Sequence, residues 1–223
     1  MIRRMTRISR AEQREQTRAA LLATAREQFL TSGYAATSLD AIAEGAGFSK
    51  GAVYSNFKDK PTLCMAVLED IHREKLGEIR SIVERGDDLA AMLDAFADWV
   101  RATIGDVDWT MLELEFVALS RRSPDQLAMI VALREGARDS LAELLASVLG
   151  DAVELLDRAA EETPGLPDRR EVADLLLSTG IGLGIQRALD PAVSVEPAIA
   201  VINAAFAAFT ETATEAMTVI ESE

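Results

Sequence analysis

The side chains with chemistry to offer gather between Thr37 and Lys60. Ser49, Lys50, Gly51, Tyr54, Ser55 and Asn56 crowd into eight positions, with Thr37 ahead of them and Lys60 behind. Their common property is hydrogen-bond donation, and Gly51 adds a place where bare backbone can approach a partner. Lys50 can donate to guanine O6/N7 or to phosphate. Tyr54, Asn56, Thr37 and Lys60 suit phosphates, which position a protein on a duplex without reading its sequence. Ser49, Gly51 and Ser55 complete a groove-facing set, while Ala52, Val53 and Phe57 point inward or towards thymine methyls. Upstream, residues 1–10 carry Arg3, Arg4, Arg7 and Arg10 and no acid. Such a segment is either a solvated tail or an arm reaching phosphates and an A·T-rich minor groove, with Arg4 and Arg7 as its contacts.

These groups need a scaffold, and the local signals supply one. Ser38 is a helix N-cap, with Ala41, Ile42 and Ala46 as a small apolar face behind it. Gly45 and Gly47 end that helix, and Gly47 suits a C-cap with positive φ. Ser49 caps a second short helix, Lys50 to Asn56. Two short helices joined by a Gly-containing turn form a helix-turn-helix, whose second helix enters the DNA major groove. A first helix over residues 11–31 would bury Ala20, Leu21, Phe29 and Leu30 against Leu39, Ile42, Val53 and Phe57, with Tyr34 covering that core.

The run Thr37…Ile42-Ala43-x-x-Ala46-Gly47-Phe48-Ser49-x-Gly51-x-Val53-Tyr54-x-Asn56-Phe57-x-x-Lys60-x-x-Leu63 resembles the DNA-binding signature of TetR-family transcriptional regulators. The resemblance is close over the N-terminal quarter and extends further only as helical pattern. Asn56 stands where His or Tyr is frequent, and Pro61 where an acid is common. What the resemblance implies is a C2 dimer on a palindromic operator, with the helix from Lys60 to about Glu84 linking DNA-binding head to body. It also implies a four-helix dimer interface and a small-molecule effector bound in the body.

The net charge of −14 is unevenly spread. Residues 1–60 carry a balance of +4 and the remainder −18, the asymmetry expected when one end alone meets phosphate. One cysteine, Cys64, suits a reducing cytoplasm and reads as a small buried hydrophobe. Neither a signal peptide nor an apolar stretch long enough to span a bilayer is expected, so the expected location is cytoplasmic. His72, the single histidine, is expected at the surface.

Beyond residue 84 the pattern is helical throughout. Leu89–Ile104 ends at Gly105. Asp108 is expected to cap the next helix, and Ser123-Pro124 starts a long one that runs past Gly150. Met92, Phe96, Trp99, Trp109, Met111, Phe116, Met129 and Gln186 are candidates to line an effector pocket, since methionine and tryptophan make adaptable apolar walls. Glu113 and Glu115 lie in an apolar helix, and one of them is a candidate buried carboxylate in that pocket. The last two helices, Asp168–Leu189 and Glu196–Ile220, are apolar over most of their surface. Leu176, Gly180, Leu183, Ile202, Phe206 and Phe209 are expected to meet a second copy.

The expected fold is therefore all-α. Residues 1–58 form a three-helix DNA-binding domain with a basic arm, and residues 59–223 a larger helical body; about nine helices are expected. The expected function is a DNA-binding transcriptional regulator, a repressor released from its operator by a small hydrophobic ligand. An activator or ligand-independent regulator shares the same features, and a helical interaction protein without DNA binding is the remaining alternative. No catalytic residues, metal or cofactor are expected. The partners are double-stranded DNA, a second copy and the effector, with no membrane.

Overall fold

The computed structural model describes residues 9–86, 88–150 and 152–220, the last twelve of these by backbone alone. Arg4, Arg7 and the side chain of Phe209 lie outside the described residues. Among the described residues the fold is all-helical, and ten helices follow one another: α1 Arg10–Ser32, α2 Leu39–Gly45, α3 Lys50–Asn56, α4 Lys60–Arg85, α5 Leu89–Thr103, α6 Val107–Ser120, α7 Pro124–Leu149, α8 Ala152–Glu162, α9 Arg169–Leu189 and α10 Glu196–Ile220.

The chain sorts into two compact units. One takes the residues up to Ile71 together with Met111–Ile130; the other takes His72–Thr110 and the residues from Val131 onward. In the first, α1 starts on a reciprocal cap. Ser9 Oγ accepts the Glu12 N–H at 3.1 Å and Glu12 accepts the Ser9 N–H at 2.6 Å, satisfying two donors that a helix start leaves orphaned. Leu21, Ala25 and Phe29, four residues apart, are fully buried with Ile42, Val53 and Phe57. Each large side chain so buried contributes about 1.5–3 kcal/mol. From Leu63 to Leu68 six consecutive residues of α4 are buried. A helix can hide its whole circumference only when neighbours enclose it.

The second unit has two apolar centres. Ala97 and Val100 of α5 meet Val195 and Ile199, flanked by Phe96, Trp99, Ile104 and Leu183. Leu141, Ala142 and Leu145 of α7 meet Ala173 of α9, flanked by Val172, Leu176, Leu177 and Phe206. Ion pairs border both. Arg101 forks onto Glu196 at 2.8 and 2.9 Å, and Arg134 and Arg170 of the α7–α9 seam reach Asp174 and Asp139.

Three local expectations are corrected. Asp106, not Asp108, caps α6, its carboxylate accepting the Trp109 N–H at 3.2 Å. The long helix stops at Leu149, because Gly150 takes a φ of +55° and α8 begins separately. His72 is half-buried, edge-on to the Trp109 ring at 5.8 Å, so the charged run around it does not make it a surface residue.

Candidate nucleic-acid interface

The turn between α2 and α3 is made locally. Ser38 Oγ accepts the Ala41 N–H at 3.1 Å and Ser49 Oγ accepts the Ala52 N–H at 3.3 Å, so both short helices start capped. Gly47 sits at φ +74° with open space around it. It lets the Phe48 N–H turn back to Ala43 O at 2.9 Å, a reversal that a side chain would strain.

Val53 and Phe57 lock α3 inward at 0% and 2% exposure. Its C-terminal carbonyls face two arginines from α1: Arg14 donates to Ser55 O at 3.3 Å and Arg18 to Asn56 O at 3.0 Å. Arg18 also lies over the Phe57 ring, 4.3 Å from its centroid. Cations there complement the negative end of the helix dipole. Neither arginine stands out in the sequence, since a basic residue on a polar helix face is ordinary.

The outward side of α3 carries Lys50, Gly51, Tyr54 and Ser55, with Tyr54 51% exposed. Lys50 is tethered: its Nζ lies 2.8 Å from Asp40, and that hydrogen bond raises its pKa, so the ammonium stays charged. The remaining hydroxyls and amides are used by the protein itself. Ser49 Oγ caps the helix, Ser55 Oγ donates to Ala52 O at 2.9 Å, and Asn56 Nδ2 donates to the same carbonyl at 2.8 Å. Thr37 is only 5% exposed, its hydroxyl donating to Gly33 O at 2.8 Å and Gln28 O at 3.1 Å. The structure thus gives the Thr37 hydroxyl the task of closing the end of α1.

The loop between α1 and α2 is pinned from far along the chain. The Glu115 carboxylate accepts the Tyr34 N–H at 2.6 Å and the Ala35 N–H at 2.9 Å. Tyr34 packs edge-on against Phe116 at 5.2 Å and beside Phe29 at 5.8 Å. Burial, with the nearby Cys64, Asp59 and Glu115, pushes its hydroxyl up to about 12. Lys60 donates to Ala35 O at 3.2 Å, its ammonium 4.4 Å from the Tyr34 ring centroid. Burial lowers the Lys60 pKa despite Cys64 and Glu115. Glu115 is therefore a clamp on this loop, correcting its candidacy as a pocket carboxylate. Beneath it, burial drives the Cys64 thiol up to about 12, although Lys60 pulls the other way.

The expected pocket residues are divided between the two units. Phe116 is fully buried against Tyr34 in the first unit, which also holds Met111 and Met129. Met92, Phe96, Trp99, Trp109 and Gln186 belong to the second. Of these Trp99 lines an open recess of about 550 Å³ with Glu78, Ser81, Ile82 and Arg85, its indole N–H donating to Glu78 at 2.7 Å. Of the expected dimer residues, Leu176 and Phe206 pack on the α7 cluster, Leu183 on the α5 cluster, and Gly180 faces Ile104. Among the described residues, the large apolar side chains that α9 and α10 leave exposed are Leu175, Ile181, Leu189 and Val201. By length and composition alone, α9 has an 18-residue window, of mean hydropathy 1.2, apolar enough to cross a membrane. Its Asp174–Arg134 and Arg170–Asp139 pairs tie it to α7 within a helical bundle.

Residues 21–67 match the family model described as bacterial regulatory proteins, tetR family. The chain is 36% identical over 103 residues to the HTH-type transcriptional activator FasR of Mycolicibacterium smegmatis, covering 44% of this chain and 45% of that one. It is 39% identical over 61 residues to the HTH-type transcriptional regulator TtgR of Pseudomonas putida, covering 27% and 29%. The chain thus spans less than half the length of these curated relatives. Among solved structures, a TetR-family transcriptional regulator from Pectobacterium atrosepticum is similar at a TM-score of 0.55 and 26% identity, over 81% of this chain and 85% of that one. Reduced NemR of E. coli shares the fold at a TM-score of 0.60 and 20% identity, over 83% and 95%.

Proposed function

We propose, from the match of residues 21–67 to the tetR family model, that this chain is a DNA-binding transcriptional regulator acting as a homodimer on a palindromic operator. The observation that carries this reading is the outward side of α3. Lys50, Gly51, Tyr54 and Ser55 are presented on a helix fixed by a cap at one end and two arginines at the other. In a twofold dimer the two α3 helices would stand about 34–36 Å apart, one turn of DNA. The exposed Leu175, Ile181, Leu189 and Val201 support pairing through α9 and α10, because large apolar side chains left in water gain from cover.

The regulator is read as a repressor that a small ligand releases. The recess at Trp99 offers an aromatic wall backed by the Phe96 ring, stacked at 5.8 Å. A ligand there can act only through its difference in affinity between DNA-competent and other conformations. Activation is the second reading, favoured by the activator FasR among the relatives.

Fluorescence anisotropy on the duplex upstream of its own gene tests the binding. Affinity for that duplex should exceed affinity for mixed-sequence DNA by about 10³-fold or more. Tyr54→Ala should weaken both, since a phosphate contact is indifferent to sequence. Equal affinity for the two duplexes in the unaltered protein would refute sequence-specific regulation. A transcriptional reporter carrying the same region separates repression from activation.

A further inference from the structure

A recess of about 600 Å³ lies beside the C-terminal end of α3, lined by Arg10, Arg14, Glu15, Arg18 and Asn56. The arginines are four residues apart on α1, which sets them about 6 Å from each other along one helix face. Arg14 and Arg18 each use a guanidinium N–H on an α3 carbonyl, at 3.3 and 3.0 Å. A guanidinium has five such donors, so most of its capacity is left over. Arg10 and Arg14 are exposed. The Asn56 Nδ2 amide is engaged within its own helix, donating to Ala52 O at 2.8 Å and to Ser55 Oγ at 3.4 Å. A charge of +3 against the single carboxylate of Glu15 thus faces the recess, at the end of α3 where Arg14 holds Ser55 O.

We infer that Arg10 and Arg14 form a second DNA contact, gripping phosphates of the strand that passes the end of α3, outside the groove the helix enters. The inference rests on the DNA-binding reading above. Guanidinium forks match the geometry of phosphate oxygens, and planar donors on a rigid helix lose little freedom on binding. The patch takes over at the position where Asn56 faces its own helix. Arg18, half-buried over Phe57, is a positioning residue that keeps the end of α3 against α1. Contacts of this kind raise affinity for every sequence alike and appear in the salt dependence.

The test uses the full chain and a labelled 30-base-pair duplex of mixed sequence, titrated by anisotropy across a salt series. Each arginine engaged should contribute about 0.9 to the slope of log K against log salt concentration, per protomer bound. Arg10→Gln should therefore lower the slope, Arg10→Gln with Arg14→Gln should lower it about twice as far, and Arg14→Lys should restore most of it. Glu15→Gln, which removes the opposing charge, should tighten binding. Arg10 makes no hydrogen bond to α3 that its replacement would break, so its single variant keeps the test independent of folding. A slope unchanged in both glutamine variants, while Tyr54→Ala still weakens binding, would overturn the arginine contact alone. Absence of binding by the unaltered protein at low salt would overturn the DNA-binding reading and this contact with it.

Discussion

Glu115 joins two backbone N–H groups of a loop 80 positions upstream, and the reach of that contact explains its silence in the sequence. A glutamate on an apolar helix carries no mark of what it will meet. Hydrogen bonds to a charged acceptor are worth about 1.5–3 kcal/mol, so Glu115→Ala should destabilise the protein by about 2 kcal/mol in urea unfolding. Gly33→Ala should hurt the same place, because φ is +83° there and a Cβ would sit 2.9 Å from Glu115 Oε2. Cys64 was legible, since a lone cysteine among Leu63, Met65 and Ala66 reads as core, and the structure buries it completely. With its pKa pushed up to about 12, the thiol should resist a disulfide reagent at pH 8 until the protein is unfolded. Asp59 shows the opposite sign. Burial opposes its ionisation, but the Thr62 hydroxyl and amide at 2.7 and 2.8 Å, with Lys58, outweigh burial and lower its pKa. Its stabilisation is present above the ordinary carboxylate pKa and fades as pH falls through the lowered one. Asp59→Asn should therefore flatten the acid side of a stability–pH curve.

Helices were legible where their signals are local. Ser49, Gly51, Val53 and Phe57 lie within nine positions, and α3 starts and stops where they indicate. Ser49→Ala should remove the cap at about 1 kcal/mol and weaken DNA binding with it, measured by thermal melts beside anisotropy. The body helices were legible as helices but not as faces. α9 is apolar on nearly every side, so its periodicity could not choose between Leu176 or Leu183 and Leu175 or Ile181. Packing decides: the first pair meets α7 and α5, and the second pair is left outside. The start of α6 slipped by two residues for a similar reason, as Asp106 and Asp108 are both competent caps and only the turn at Gly105, φ +97°, selects between them.

At the scale of the whole molecule, the proposed function requires two copies in step, so that two α3 helices meet one palindrome. Replacing Leu175 and Ile181 with glutamate should yield a monomer by light scattering, with the helical signal of circular dichroism retained and operator affinity lost. A dimer persisting in that variant would move the interface elsewhere. The paired Lys50 and Asp40 bear on how such a dimer searches a chromosome. Each visit to an arbitrary site must prise the ammonium from its own carboxylate before a base or phosphate can claim it. Asp40→Asn should therefore lengthen every stay, at the right address and at the rest alike.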